Sequence, residues 1–234
     1  MNTRERAWEY LCTQIGSLLF PSYCVGCHTP HTLLCHACAG VLFAPPSKCL
    51  LCARPVLGGI CRDCAKKSAI THIDAYAPYR HPLARALVTG TKYHYEHALA
   101  RPIGTLLATL LTDVPANSLF VPIPLHRKKL RERGFNQSHL IARSIAAELH
   151  IPIEETDSLY RTRYTPPQAR TTSRKERRAH LASAFALQNT TVLTGKHLIL
   201  VDDVITSGAT AREAARTLVR AAPASIRVLA FAYG

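Results

Sequence analysis

Two adjacent aspartates, Asp202 and Asp203, end an apolar run in the stretch LILVDDVITSGAT (198–210), and a hydroxyl-rich turn through Thr206, Ser207, Gly208, Ala209 and Thr210 follows at once. Carboxylates repel an anion, yet the turn is made to hold one. It opens the helical stretch AREAARTLVRAA, whose first backbone N–H groups lack partners and lie at the positive end of the helix dipole. The three hydroxyls can add donors, and Gly208 permits close backbone approach. Carboxylates one turn earlier accept hydrogen bonds from sugar hydroxyls. A ligand with a phosphate at one end and vicinal hydroxyls at the other reconciles the two, which describes a ribose 5-phosphate.

Three other readings compete. A buried strand followed by a helix would show the same residues with no ligand at all. LILVDD also suits the acidic strand of a phosphate-loop ATPase, but no G-x-x-x-x-G-K-[ST] occurs. A phosphoacceptor receiver domain would place most of its fold after the aspartates, whereas the sequence runs only to Gly234.

A second chemistry lies at the front. Eight of nine cysteines form four Cys-x-x-Cys pairs: Cys24/Cys27, Cys35/Cys38, Cys49/Cys52 and Cys61/Cys64. A two-residue gap presents both thiolates to one tetrahedral metal, and two such knuckles complete a four-sulfur site. Eight ligands imply two structural Zn2+ ions. Neighbouring pairs are expected to share an ion, although interleaved pairing also satisfies the spacing. Closed four-sulfur sites keep no position for substrate. Disulfides and redox chemistry fit less well with four motifs in a cytoplasmic chain.

The elements that must position these residues follow from periodicity. IDAYAPY (73–79), SLFVPIP (118–124), KHLILVDD (196–203) and SIRVLAFAYG (225–234) read as strands. HALARPIGTLLATLLT (97–112), SHLIARSIAAELH (138–150) and GATAREAARTLVRAA (208–222) read as helices, with a basic loop before the second. Apolar strands alternating with helices predict an α/β fold with a mostly parallel sheet covered on both faces. Ligands of such sheets bind beyond the carboxyl ends of the strands, where Asp202 and Asp203 fall. Expected divisions are an amphipathic helix over 1–22, a double zinc ribbon over 23–70 and the α/β domain over 71–234. Cys12 falls in the stripe of that first helix as a free thiol.

The chain has 234 residues, 47% of them hydrophobic, and a formal charge of +14. That surplus fits a polyanionic partner such as nucleic acid or phosphates. No apolar run is long enough to span a membrane. Glu5, Glu9 and Gln14 interrupt what a signal peptide would need, so a cytoplasmic location is expected.

Residues 198–210 match the phosphoribosyl diphosphate (PRPP) signature of type I phosphoribosyltransferases. VPIPLHRKKLRERGFNQSHLIAR (121–143), RTRYTPPQARTTSRKERRAHLASAF (161–185) and the four cysteine pairs narrow the match. Together they resemble the ComF/GntX family, called ComFC in competence, over nearly the whole chain from LLFP onward. RERGFNQ is particularly characteristic, and His180 stands where the family usually has asparagine.

The resemblance implies a type I phosphoribosyltransferase fold that binds PRPP, with Mg2+, or ribose 5-phosphate. Asp202 and Asp203 would hold the ribose hydroxyls, and Val204, Ile205, Thr206, Ser207, Gly208, Ala209 and Thr210 would form the phosphate loop. Pro122 to Arg127 would lie near pyrophosphate, Lys92 would match a family lysine, and Gln168 and Arg177 would sit on a loop that closes over substrate. Arg127, Lys128, Lys129, Arg131 and Arg133 would supply positive charge to the leaving pyrophosphate. Lys128, Lys129, Arg131, Arg133, Arg174 and Lys175 are also candidates for nucleic acid, within basic clusters that include Arg161 and have few aromatics beyond Phe135, Tyr160 and Tyr164. Gly134 in RGFNQ reads as a specific turn, which sets Arg133, Asn136 and Gln137 apart from a mere charge run. The function implied is a competence protein contacting single-stranded DNA in transformation, beside helicase and DNA-processing partners. A phosphoribosyltransferase with an unidentified nitrogen nucleophile is the alternative.

Overall fold

The computed structural model describes residues 21–92, 94–164 and 184–234. The expected helix over 1–22, with Cys12, lies almost wholly outside these residues, as do Gln168, Arg174, Lys175 and Arg177. The chain divides into two compact units, one ending at Val41 and the other running from Leu42 to Gly234. The second cysteine cluster thus belongs to the larger unit, whereas the sequence grouped both clusters in one segment.

In the first unit the helix α1 (His36–Gly40) begins beside Cys35. The larger unit contains α2 (Arg62–Ser68), β1 (His72–Pro78), α3 (Pro82–Gly90), α4 (Ala100–Ala108) and β2 (Ser118–Pro122). After these come α5 (Arg127–Arg133), α6 (Gln137–Leu149), β3 (Leu159–Arg161), β4 (Phe185–Leu187), β5 (His197–Ile205), α7 (Ala209–Leu218) and β6 (Ser225–Tyr233). Four strands form one sheet in the order β1-β6-β5-β2, and every neighbouring pair is parallel. β3 and β4 form a separate antiparallel pair.

β5 reads as an unbroken apolar run because both of its faces are covered. Leu119, Leu198 and Ile226 are in register across β2, β5 and β6. They meet Ala211, Ala214, Ala215 and Leu218 of α7, together with Cys49, Leu50, Leu51 and Cys64. On the opposite face Phe120 and Ile199 are register partners, and α4 and α6 pack there against each other and the strands. Ile103, Leu107, Ile141 and Ile145 are fully buried in that layer.

Local chemistry refines the expected boundaries. The basic stretch after Pro124, read as a loop, is the seven-residue helix α5. His126 caps it by accepting from the Lys128 N–H at 3.2 Å, and Gly134 ends it at φ 82°. The helix expected over 97–112 is a 3-10 turn, His94–Leu99, followed by α4. α3 had no counterpart in the sequence reading.

Gly104 shows how closely α4 and α6 approach, since a Cβ there would lie 2.4 Å from the Ser144 Cβ and Oγ. Gly104→Val is expected to cost about 1–3 kcal/mol, read as a lower urea midpoint with an unchanged slope. An unaltered midpoint would contradict this contact.

Candidate functional site

β5 carries the acid pair to the carboxyl edge of the sheet, between β2 and β6. Asp203 is buried and Asp202 partly so. The Asp202 carboxylate accepts from the Asp203 N–H at 2.9 Å, and that of Asp203 from the Val204 N–H at 2.9 Å. Ser138 donates its hydroxyl to Asp202 at 3.2 Å, and the Gln137 amide donates to Asp203 at 3.4 Å. Lys92 completes the ring with an ion pair to Asp203 at 3.2 Å. Burial first, and then the adjacent Asp203 carboxylate, hold the Asp202 carboxyl well above the usual carboxylate range.

Gln137 and Ser138 are in place because of the residues before them. Asn136 caps α6, accepting from the Ser138 N–H at 3.1 Å while donating to the Ile123 carbonyl at 3.0 Å. One side chain therefore starts the helix and ties it to the end of β2. Arg133 donates to the Gln137 side-chain oxygen, which leaves the Gln137 amide nitrogen directed at Asp203. Gln137 was visible in RGFNQ as part of a turn; Ser138 was missed. Its signal was present, since the position after an N-cap and its neighbour points where the cap points.

The residues expected to form a phosphate loop connect β5 to the start of α7. Gly208 is the N-cap of α7 at φ 65°, and no side chain caps the helix. Its first amides have no intrahelical partner. Thr206 is exposed, Ser207 and Thr210 are partly so, and Gly208 and Ala209 are buried. Gly208 has no space for a side chain either. A Cβ would meet the Leu51 Cδ2 at 2.1 Å, so the second cysteine knuckle presses on the floor of the loop.

Pro122 ends β2 opposite Val201, beside the acids. Arg127 opens α5 with its side chain exposed. The cations turned toward the acids are others. Burial, then Arg161, Arg133 and Lys92, depress the Lys129 pKa. Arg161 is depressed by burial and raised by the charge of Asp202. Lys92 pairs with Asp203 and Arg133 holds Gln137, while Lys129 feels the charges of Arg161, Arg133 and Lys92, a concentration of positive charge that suits a multiply charged anion. The sequence offers Lys129 to either pyrophosphate or nucleic acid and places Arg161 in a basic cluster for nucleic acid. In contrast, Lys128 lies 4.9 Å from the Tyr164 ring centroid, and Arg131 is exposed.

The eight cysteines form two groups, Cys24, Cys27, Cys35 and Cys38, and Cys49, Cys52, Cys61 and Cys64. Within each group all sulfurs lie within 4.8 Å of one another, so neighbouring pairs share a site. Both are built alike: a tight knuckle gives two ligands, and the N-cap and first turn of a short helix give two more. Burial opposes ionisation of Cys24 and Cys49, yet backbone N–H groups aimed at their sulfurs lower each to about 6. Thiolates prepared in this way fit a metal ion.

A cavity of about 390 Å³ lies beside the loop. Thr206, Lys48 and Leu50 of the second knuckle, Arg80 after β1, and Tyr233 and Gly234 at the end of β6 line it.

The family model for the phosphoribosyl transferase domain matches residues 136–234, a span that begins at the N-cap of α6. DNA utilization protein YhgH of Escherichia coli (strain K12) is 29% identical over 223 residues, covering 90% of this chain and 96% of that protein. Competence protein ComFC of Bacillus subtilis (strain 168) is 25% identical over 200 residues, covering 81% and 79%. Among solved structures, the glutamine phosphoribosylpyrophosphate amidotransferase from B. subtilis is 23% identical with a TM-score of 0.38, covering 56% of this chain and 26% of that one.

The acid pair has a consequence for stability. The raised folded pKa of Asp202 exceeds an unfolded value of about 4. Within that window the folded state keeps a proton the unfolded chain has lost, so stability falls as pH rises through it and stays lower above. Asp202→Asn is expected to raise the melting temperature of ligand-free protein at pH 7 and to flatten its pH dependence above about pH 4. A lower melting temperature at pH 7 would show instead that the ionised carboxylate stabilises the loop.

Proposed function

The chain belongs to the ComF/YhgH family, with a type I phosphoribosyltransferase-like α/β fold and two four-cysteine clusters, and from that premise we propose that it binds PRPP or ribose 5-phosphate in DNA utilization. Asp202 and Asp203 hold the ribose hydroxyls, and Thr206–Thr210 hold the 5-phosphate at the uncapped start of α7. The observation that carries this reading is that juxtaposition, acceptors for a diol one turn before free amide donors. Lys92, Lys129 and Arg161, with Arg133 behind them, face the pyrophosphate of PRPP. Mg2+ entering with PRPP neutralises charge on that group, and the two carboxylates are oxygen donors suited to it. Each four-cysteine group holds a Zn2+ ion.

Incoming single-stranded DNA is the macromolecular partner, as the relatives named for DNA utilization and competence support. Exposed Lys128 and Arg131 on α5 contact its phosphates. Few aromatic side chains stand nearby, so contact is dominated by phosphate and weakens with salt.

A second reading, transfer of the phosphoribosyl group, is favoured by the cavity beside Thr206. A nitrogen nucleophile seated there would form a bond to C1 and lose its proton as the bond from C1 to the pyrophosphate oxygen breaks. Release of pyrophosphate with an acceptor panel distinguishes transfer from binding alone.

Calorimetric titration tests the central reading. Asp202→Asn with Asp203→Asn should weaken ribose 5-phosphate binding about 100-fold or more, the loss of two charged hydrogen-bond acceptors. Unchanged affinity would sink the assignment. Lys129→Ala and Arg161→Ala should each weaken PRPP about tenfold or more while leaving ribose 5-phosphate within about twofold, since only PRPP carries the charges they face. Equal losses for both ligands would remove these residues from the pyrophosphate side. Lys128→Ala with Arg131→Ala should lower the salt dependence of single-stranded DNA binding by about one to two in log–log slope, with ribose 5-phosphate binding unaffected.

A further inference from the structure

We propose that the second four-cysteine cluster is a working part of the phosphate site, with metal binding at Cys49, Cys52, Cys61 and Cys64 coupled to ligand binding at Thr206–Thr210 through Leu51. The inference rests on the sugar-phosphate reading of that loop and goes beyond it.

Leu51 stands between two ligands of the cluster, Cys49 and Cys52, and is fully buried. Its Cδ2 lies 2.1 Å from where a Gly208 Cβ would be, and the Leu50 carbonyl oxygen lies 3.5 Å from the same point. Gly208 is the hinge of the loop, at φ 65° and at the head of α7. With its shape set, the knuckle is seated in the core rather than merely beside the loop. Cys49, Leu50, Leu51 and Cys64 share one buried cluster with Ile205 before the loop and Ala211, Ala214 and Ala215 after it.

Metal geometry sets the position of Leu51 directly. Leu51 lies inside the turn that the Ala53 N–H closes onto the Cys49 carbonyl at 2.7 Å, with a ligand on either side, so fixing the Cys49 and Cys52 sulfurs on a metal fixes the turn that carries the leucine. Without the ion, the Cys52 and Cys61 sulfurs meet only through a weak 3.7 Å contact, and such segments take their shape from the metal. Losing the metal frees the knuckle, and the floor under Gly208 goes with it.

Coupling of this kind is reciprocal: if the metal orders the loop for a phosphate, the phosphate must retain the metal. The first cluster lies in a separate compact unit and serves as an internal control. In full-length protein carrying two zinc equivalents, release to a chromophoric chelator is followed with and without saturating ribose 5-phosphate. At equilibrium the chelator should draw one equivalent at least about tenfold less strongly with ligand present and the other equally well. Thiol alkylation with peptide mass mapping should assign the retained equivalent to Cys49–Cys64.

Leu51→Ala should keep two zinc equivalents and cooperative unfolding, yet weaken ribose 5-phosphate about tenfold and abolish the protection, while Leu51→Met restores both. Protection of both equivalents or of neither, in protein that binds ribose 5-phosphate calorimetrically, overturns the coupling alone. So does wild-type affinity in Leu51→Ala. Absence of any ribose 5-phosphate binding defeats the sugar-phosphate reading itself, and the coupling with it.

Discussion

Two carboxylates on consecutive residues at the end of a buried strand repel each other, and burial worsens the repulsion. Much of the surrounding structure answers that constraint. Ser138 and Gln137 donate to the pair, Lys92 adds a charge, and the strand turns its own amides onto both carboxylates. The donors come from the first two residues of α6 and therefore need the helix to start where it does. Asn136 sets that start and anchors it to the Ile123 carbonyl. Gly134 ends α5 so that the chain can turn into Asn136. RERGFNQS thus acts as one device: it stops one helix, starts the next and directs two side chains at the acids.

Donors alone do not neutralise the pair, which explains the cations around it. Lys129 is depressed by burial and by three positive neighbours, Arg161, Arg133 and Lys92. Assembling like charges costs folding free energy and persists where a ligand supplies the missing negative charge. A chain of net charge +14 has many cations, but most of those among the described residues stand in solvent, where they are screened. These four are only partly exposed, and Lys92 among them pairs with Asp203. A molecule with hydroxyls for the acids and phosphates for the cations meets both demands, and a simple anion would meet only one.

How legible this was in the sequence depended on the kind of signal. β5 and α7 were readable because a buried parallel strand is a continuous apolar run, and Thr206–Thr210 marked the turn between them. The cysteine spacing showed the metal chemistry, and the structure chose between neighbouring and interleaved pairs. α5 was missed because RKKLRER contains one apolar residue, too few to show a period, and its cap is an imidazole rather than the usual hydroxyl or carboxylate. Lys129 and Arg161 looked like members of basic clusters. Charge pattern gives no direction; only the helix α5 and the pairing of His126 with Arg161 bring the two into one electrostatic group. Ser138 was hidden in an ordinary amphipathic helix.

The two cysteine knuckles carry the same ligand spacing yet have different neighbours, and the difference is written between the ligands. Cys24 and Cys27 enclose Val25 and Gly26, which are partly and fully exposed respectively. Cys49 and Cys52 enclose Leu50 and Leu51, both buried. A knuckle needs nothing apolar at those two positions to hold a metal, because the ion supplies the order. Two leucines there, each worth about 1.5–3 kcal/mol when buried, make the turn a hydrophobic plug, and a plug requires a matching surface. The surface is the layer of alanines on α7, Ala211, Ala214 and Ala215, whose small side chains let the knuckle approach until it touches the backbone at Gly208. Larger residues on that face of α7 would hold the knuckle off. Small residues on the helix and large ones on the knuckle form a single fit, which is why the boundary between compact units falls ahead of the second cluster and not behind it.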